Sequence, residues 1–220
     1  MNKIEPDKMW FCADLHFGHK FMLRPNHNGV ALRKQGYEER ILEAWYDTVG
    51  KDDTVFILGD TAFTAVAYWF QRLSEMPGKK VLFIGNHDKN RPDWYTKFNF
   101  SMVVPFDNYV IFPLDLWEDG KGVTKYGKVM LSHLPAFASV ATPFDAKFRG
   151  LMGKFEKAFN NSSCILNIHG HLHGKGAEKH NTMDVTPEVI GEQLVSLAQI
   201  IQVKFKNIPN AREQVTINPK

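Results

Sequence analysis

The sequence predicts an α/β fold whose sheet is mixed or split in two, and three observations predict it. Residues 9–85 alternate short apolar runs with helical periodicity in the order strand–helix–strand–helix–strand, which favours a partly parallel sheet. Residues 102–132 carry further apolar runs set between turn residues, as antiparallel strands or hairpins do. No internal repeat, low-complexity tract or linker-like shift breaks the 220 residues, 44% of which are hydrophobic. We therefore expect one domain over 1–220 with a sizeable core.

Taken in order, "MWFCA" (9–13) reads as a strand. "YEERILEAWYDTVG" (37–50) puts Ile41, Leu42, Trp45 and Val49 at helical spacing with Gly50 as a stop. "TVFILG" (54–59) is a strand, and 65–76 a helix closed by Pro77-Gly78. "KVLFIG" (80–85) is the third strand. "SMVVPF", "NYVIFPLDLW" and "KVMLSH" follow, with turns expected at Asp119-Gly120 and Gly127. Residues 134–163 form a long connection with one helix near 151–159. A strand at 164–168 precedes "HGHLHG", and a final strand pair is expected near 181–186 and 198–206, with a short helix between.

Composition excludes several classes. Charged residues make up 23%, net charge is +3 and the pI is near 8.7, too mild to imply nucleic-acid binding by themselves. Two isolated cysteines, Cys12 and Cys164, rule out a disulfide scaffold and fit a reducing compartment. The N-terminus lacks the apolar stretch of a signal peptide, and no run is long enough to span a membrane. The expectation is a soluble cytoplasmic protein with no membrane partner; its oligomeric state is not readable.

The chemistry sits at the ends of the apolar runs. "MWFCA" is followed by Asp14-Leu15-His16, "TVFILG" by Asp60, "KVLFIG" by Asn86-His87-Asp88, "KVML" by Ser132-His133, and "CILNI" by His169, His171 and His173. Taken singly, an Asp or Asn after a strand is capping or turn chemistry. Recurring in order at every strand end, they describe a site, since open α/β sheets gather ligands beyond the carboxyl ends of their strands. In Asp14-x-His16, strand periodicity would point both side chains one way. Gly59, Gly85 and Gly170 would each let the chain turn sharply.

The seven candidate ligands are Asp14, His16, Asp60, Asn86, His133, His171 and His173. They supply two carboxylates, one amide oxygen and four imidazoles, and no thiolate. That set suits divalent ions, Mn²⁺ first and Fe²⁺, Zn²⁺, Co²⁺ or Ni²⁺ as alternatives, and not a structural zinc site. Seven ligands exceed what one catalytic ion needs, so two ions sharing a carboxylate fit better.

"FCADLHFGH", "LGD", "IGNHD", "LSH" and "IHGHLHG" resemble, in order and spacing, the five blocks D-x-H…GD…GNH[D/E]…H…GHxH of the calcineurin-like metallophosphoesterase superfamily, over residues 14–173. The tail "HNTMDVTPEVIG" resembles the closing strands of its small bacterial and phage members. The resemblance implies a four-layer αββα sandwich with two mixed β-sheets. It implies one metal on Asp14, His16, Asp60 and His173, and another on Asp60, Asn86, His133 and His171, with Asp60 bridging. His87 would sit over the phosphate and donate a proton to the leaving oxygen, and Asp88 would orient His87, with a helix N-cap the plainer alternative for Asp88. The implied activity is hydrolysis of a phosphate ester by a hydroxide bridging the two ions. A phosphodiester is favoured, a nucleotide or cyclic nucleotide, making the partner a small phosphorylated substrate.

Alternatives are a phosphomonoesterase, a nuclease (nucleic acid being compatible but not favoured), or a protein-binding module on the same fold. The retromer subunit is the precedent for the last; it has lost the histidine that this sequence keeps as His87. Asn86, His87, His19 and Arg24 are candidates for binding substrate, though loop hydrogen bonding is the plainer role for His19 and surface charge for Arg24. His169 reads as a strand histidine supporting a ligand. The 134–163 segment, with Phe137, Phe144, Phe148, Phe155 and Phe159, is a candidate cap beside His133, with core packing the plainer role.

Overall fold

The computed structural model describes residues 5–118, 124–140, 142–176 and 180–205. They form two mixed sheets flanked by helices. The first sheet uses β1 (Met9–Cys12), β2 (Thr54–Leu58), β3 (Lys79–Phe83), β4 (Met102–Val104) and β9 (Val195–Ser196), in the order β4-β3-β2-β1-β9. Its first four strands run parallel and β9 antiparallel to β1. The second sheet uses β5 (Val110–Glu118), β6 (Thr124–Leu131), β7 (Leu166–His169) and β8 (Thr182–Asp184) in sequence order. There β5 and β6 pair antiparallel, while β6, β7 and β8 run parallel.

Strand alternation builds the layers. Successive side chains point to opposite faces, so Cys12, Val55, Ile57 and Leu82 pack outward against helices α1 (Tyr37–Thr48) and α2 (Val66–Glu75). Phe11, Leu58, Val81 and Phe83 point inward and meet Val129, Leu131, Leu166 and Ile168 of the second sheet. Met130 points out the far side, onto Met152, Phe155 and Phe159 of α4 (Arg149–Asn161). The result is the αββα sandwich. Tyr37, Ile41 and Trp45 of α1 and Phe70 of α2 are fully buried, Ile41 and Phe70 each worth about 1.5–3 kcal/mol of transfer free energy.

Two expectations need correction. Residues 198–206 do not form a strand: Leu197–Lys204 is helix α6, whose Leu197, Ile200 and Ile201 join the core between the sheets. Ser196 starts it through a capping box with Gln199, which outweighs the β-branched run that followed. Gly127 is not a turn but lies inside β6, where a Cβ would overlap the Ile165 side chain. Two short helices, α3 (Pro92–Tyr95) and α5 (Pro187–Ile190), each begin on a proline. The turn expected at Asp119-Gly120 lies outside the described residues.

The 134–163 segment supplies the fourth layer. Leu134, Ala136, Phe137, Phe155 and Phe159 are buried with Met130, the packing role anticipated for its aromatic residues. The side chain of Phe144 lies outside the described ones. Among the described residues no helix is long and apolar enough to cross a membrane.

Candidate metal centre

The parallel strands β1, β2, β3, β6 and β7 deliver the motif residues to one end of the sandwich. Two groups form there whose ligand atoms lie within 4.8 Å of one another: Asp14, His16 and His173, and Asp60, His133 and His171. Asn86 joins the second, with its Oδ1 2.9 Å from His133 Nε2. Asp60 Oδ2 lies between the groups, 3.8 Å from His16 Nε2 and 3.8 Å from His133 Nε2.

The local backbone is not what period-2 reasoning expects. β1 ends at Cys12, and both Asp14 (φ 50) and His16 (φ 49) are left-handed. So are Asp60 (φ 50), His171 (φ 72) and His173 (φ 49). Asp, Asn and His tolerate this region better than most residues, yet such a concentration of unfavourable dihedrals marks a functional site. The turns are held by ladder-like bonds across strand ends: Asp14 N–H to Gly59 O, His16 N–H to Asp60 O, and Gly170 N–H to His133 O. Gly59 does turn the chain (φ 90), but Gly85 and Gly170 do not. They are glycines because a Cβ would overlap the Asp60 carboxylate at one and the Asp14 carboxylate at the other.

Ring nitrogens are sorted by their partners. His133 Nδ1 is 2.8 Å from Leu58 O, His171 Nε2 2.9 Å from Asp145 Oδ1, and His173 Nδ1 2.9 Å from Glu188 Oε2. Each acceptor fixes a tautomer and leaves the other nitrogen to face the centre, the arrangement metal-ligating histidines show. His16 Nδ1 meets His19 Nδ1 at 3.3 Å, and its Nε2 has no hydrogen-bond partner. Asp14 Oδ1 is likewise buried without one. A carboxylate oxygen left so costs several kcal/mol unless a cation satisfies it. The donor set, the convergence of free nitrogens and these orphaned atoms all fit divalent ions.

The electrostatics of the protein alone agree. Burial pushes the Asp14 carboxyl up, but the His16 and His173 rings outweigh it and hold it well below the usual carboxylate range. Burial and the neighbouring Asp14 charge drive Asp60 well above that range. Burial lowers His16 and His171 to about 4. For His173, burial is outweighed by Asp14 and Glu188, which raise it to about 10.

His87 reaches in from the solvent side. Its side chain is 42% exposed, its Nε2 is 4.0 Å from Asp60 Oδ2, and its backbone N–H donates to Asp60 Oδ1 at 2.8 Å. Asp88 does not orient it. Both Asp88 oxygens accept backbone N–H groups, from Thr61 at 3.1 Å and Gly85 at 2.8 Å, clipping the β2 and β3 loops together. Burial and Asp60 raise Asp88 to about 7. His19 stacks on Phe63, with centroids 3.7 Å apart. Arg24 lies beside Phe21, 6.0 Å from its ring, and is not gathered into either group. The buried His169 bonds the Gly170 carbonyl at 2.8 Å through Nδ1 and no ligand side chain.

Sequence reasoning missed the supports. Arg33 is buried and donates to Leu15 O (2.5 Å), Asp14 O (2.7 Å) and Glu188 Oε1 (2.8 Å), tying the Asp14 turn to the carboxylate that holds His173. The Tyr37 hydroxyl donates to His16 O. Asp145, in a 3₁₀ segment over Pro143–Phe148, holds His171. No spacing rule distinguishes these from other polar residues; their partners are far away in sequence.

No protein-family model matches the chain. The Gene 66 protein of Mycobacterium phage D29 is 32% identical over 175 residues, covering 76% of this chain and 79% of that protein. The Gene 66 protein of Mycobacterium phage L5 is 38% identical over 86 residues, which cover 38% of this chain and 41% of that protein. Among solved structures, a protein of unknown function from Aquifex aeolicus shares the fold, with a TM-score of 0.67 and 23% identity over 89% of this chain and 98% of that one.

Proposed function

This chain belongs to the family of the mycobacteriophage Gene 66 proteins and has two mixed sheets between helices, and from that premise we propose that it is a dinuclear metal-dependent phosphoesterase of the calcineurin-like kind. The observation that carries the reading is the pair of Asp/His groups meeting at Asp60, whose Oδ2 is 3.8 Å from His16 Nε2 of one and from His133 Nε2 of the other.

Asp14, His16 and His173 would hold one ion, Asn86, His133 and His171 the other, and Asp60 both. Bound divalent ions lower the pKa of water into the neutral range and neutralise phosphoryl oxygens. The chain's own residues do the rest. Glu188, Asp145 and the Leu58 carbonyl fix the three imidazoles that each of them meets. His87, half-exposed above Asp60, is placed to hand a proton to a leaving ester oxygen. Burial lowers its pKa, so the ring, once protonated, gives its proton up more readily.

A phosphodiester, with a nucleotide as the substrate class, is our favoured substrate, and Mn²⁺ our favoured ion. The test is hydrolysis of bis-p-nitrophenyl phosphate against p-nitrophenyl phosphate with added Mn²⁺, Fe²⁺, Co²⁺, Ni²⁺ or Zn²⁺. Turnover of the diester above the monoester is expected. No turnover of either with any ion would overturn the enzyme reading.

A further inference from the structure

We propose that Phe63 and Phe21, with His19 between them, form a stacking shelf for the nucleobase of the substrate. Two large apolar rings stay in solvent beside a polar centre: Phe63 is 43% exposed and Phe21 59%. Scattered exposed hydrophobics are ordinary, but these two flank one histidine. The His19 ring lies nearly parallel to Phe63 (7°, centroids 3.7 Å) and faces Phe21 at 6.0 Å.

The shelf is attached to the centre on both sides. His19 Nδ1 contacts His16 Nδ1, and Phe63 lies 5.7 Å from the His87 ring. A group bound over His87 therefore has Phe63 within the span of one sugar, which is where a nucleotide carries its base. Phe63 is also held firmly. Its N–H donates to Phe17 O at 2.9 Å, Phe17 bridges to Ala62, and the Thr64 hydroxyl donates to Gly18 O at 2.7 Å. An exposed aromatic on a pinned backbone loses little entropy when a base stacks on it. Base stacking tolerates any base, because every base offers a π-face.

The inference rests on the phosphoesterase reading for where the phosphate sits, and its test is a binding measurement that needs no turnover. The probes are the phosphonate analogues of adenosine 5′-monophosphate and of ribose 5-phosphate, in which a CH₂ replaces the ester oxygen. They are titrated calorimetrically into the Mn²⁺-loaded protein. The base-bearing probe is expected to bind about tenfold tighter. Phe63→Ala should bring the two affinities together, while Phe63→Trp keeps them apart and shows that an aromatic ring is what matters. Equal affinities in the unaltered protein, no binding of either probe, or a preference that survives Phe63→Ala combined with Phe21→Ala would overturn the shelf. A base preference without any ester hydrolysis would instead remove the enzyme reading and leave the shelf standing.

Discussion

The two halves of the candidate metal centre are supported by different materials. The Asp14–His16–His173 group leans on a buried ion pair, Arg33 with Glu188, which also grips the Asp14 and Leu15 carbonyls. The Asp60–His133–His171 group leans on a backbone carbonyl, Leu58 O, and on Asp145 from a peripheral 3₁₀ segment. The Glu188 side chain is 10% exposed and Arg33's 2%, against 13% for Asp145. The first half thus leans on an ion pair between distant loops, while His171 of the second depends on Asp145 and so on the 134–163 segment staying docked. This difference predicts a stronger first site and a second whose affinity can be tuned from outside.

The largest effect should erase the difference. Asp60→Asn removes the carboxylate that lies 3.8 Å from both His16 and His133, and if it bridges as proposed, bound metal by elemental analysis should fall from about two ions per chain towards none, with hydrolysis falling more than about 100-fold. Retention of both ions would mean that Asp60 is not shared.

Next comes the ion pair. Arg33→Met leaves Glu188 buried beside His173 without its guanidinium, and breaking a buried pair this way costs about 3–5 kcal/mol. Denaturant unfolding of the metal-free protein should show that loss. A comparable change at Asp145, on the other half, should cost far less.

Acid separates the halves further. Burial pushes the Glu188 carboxyl up, but the bonds to His173 and Arg33 outweigh it and hold it at about 2, against an ordinary 4.5. A depressed carboxyl contributes stability that is present above the unfolded value and lost as pH falls through the folded one. Metal-free protein should therefore lose about 3 kcal/mol of stability between about pH 5 and pH 2 through this group. Glu188→Gln should flatten that part of the curve; an unchanged slope would show that the pair is not the source.

The smallest effect is the sharpest comparison. Asp145→Asn should weaken one ion about tenfold, the low end for an outer partner of a ligand, and leave the other untouched. Glu188→Gln should do the reverse and more strongly. Calorimetric metal titration reads both, and equal losses at both sites would dissolve the distinction between the halves.

What could be read in the sequence follows this same divide between local and distant partners. Asp14, His16, Asp60, Asn86, His133, His171 and His173 stand in short motifs at strand ends, where hydropathy alone marks the strand. The first three strands and two helices fell where periodicity put them. The supports did not show, because Arg33 meets Glu188 155 residues away and Asp145 meets His171 26 residues away. Asp88 misled because its sequence neighbour, His87, is not its spatial partner; the chain turns so that its carboxylate faces Thr61 and Gly85. The C-terminal helix was legible in principle, since Ser196-x-x-Gln199 is a helix start that a run of isoleucines and valine concealed.

The left-handed backbones at Asp14, His16, Asp60, His171 and His173 have a practical consequence for mutagenesis. At each of these positions alanine removes a donor and also places a residue poorly suited to positive φ, so an alanine scan would fold two losses into one number. Asparagine tolerates the same dihedrals while lacking the charge or the imidazole. At His16, His171 and His173, comparing Asn with Ala therefore separates the loss of the imidazole from the cost of holding the loop.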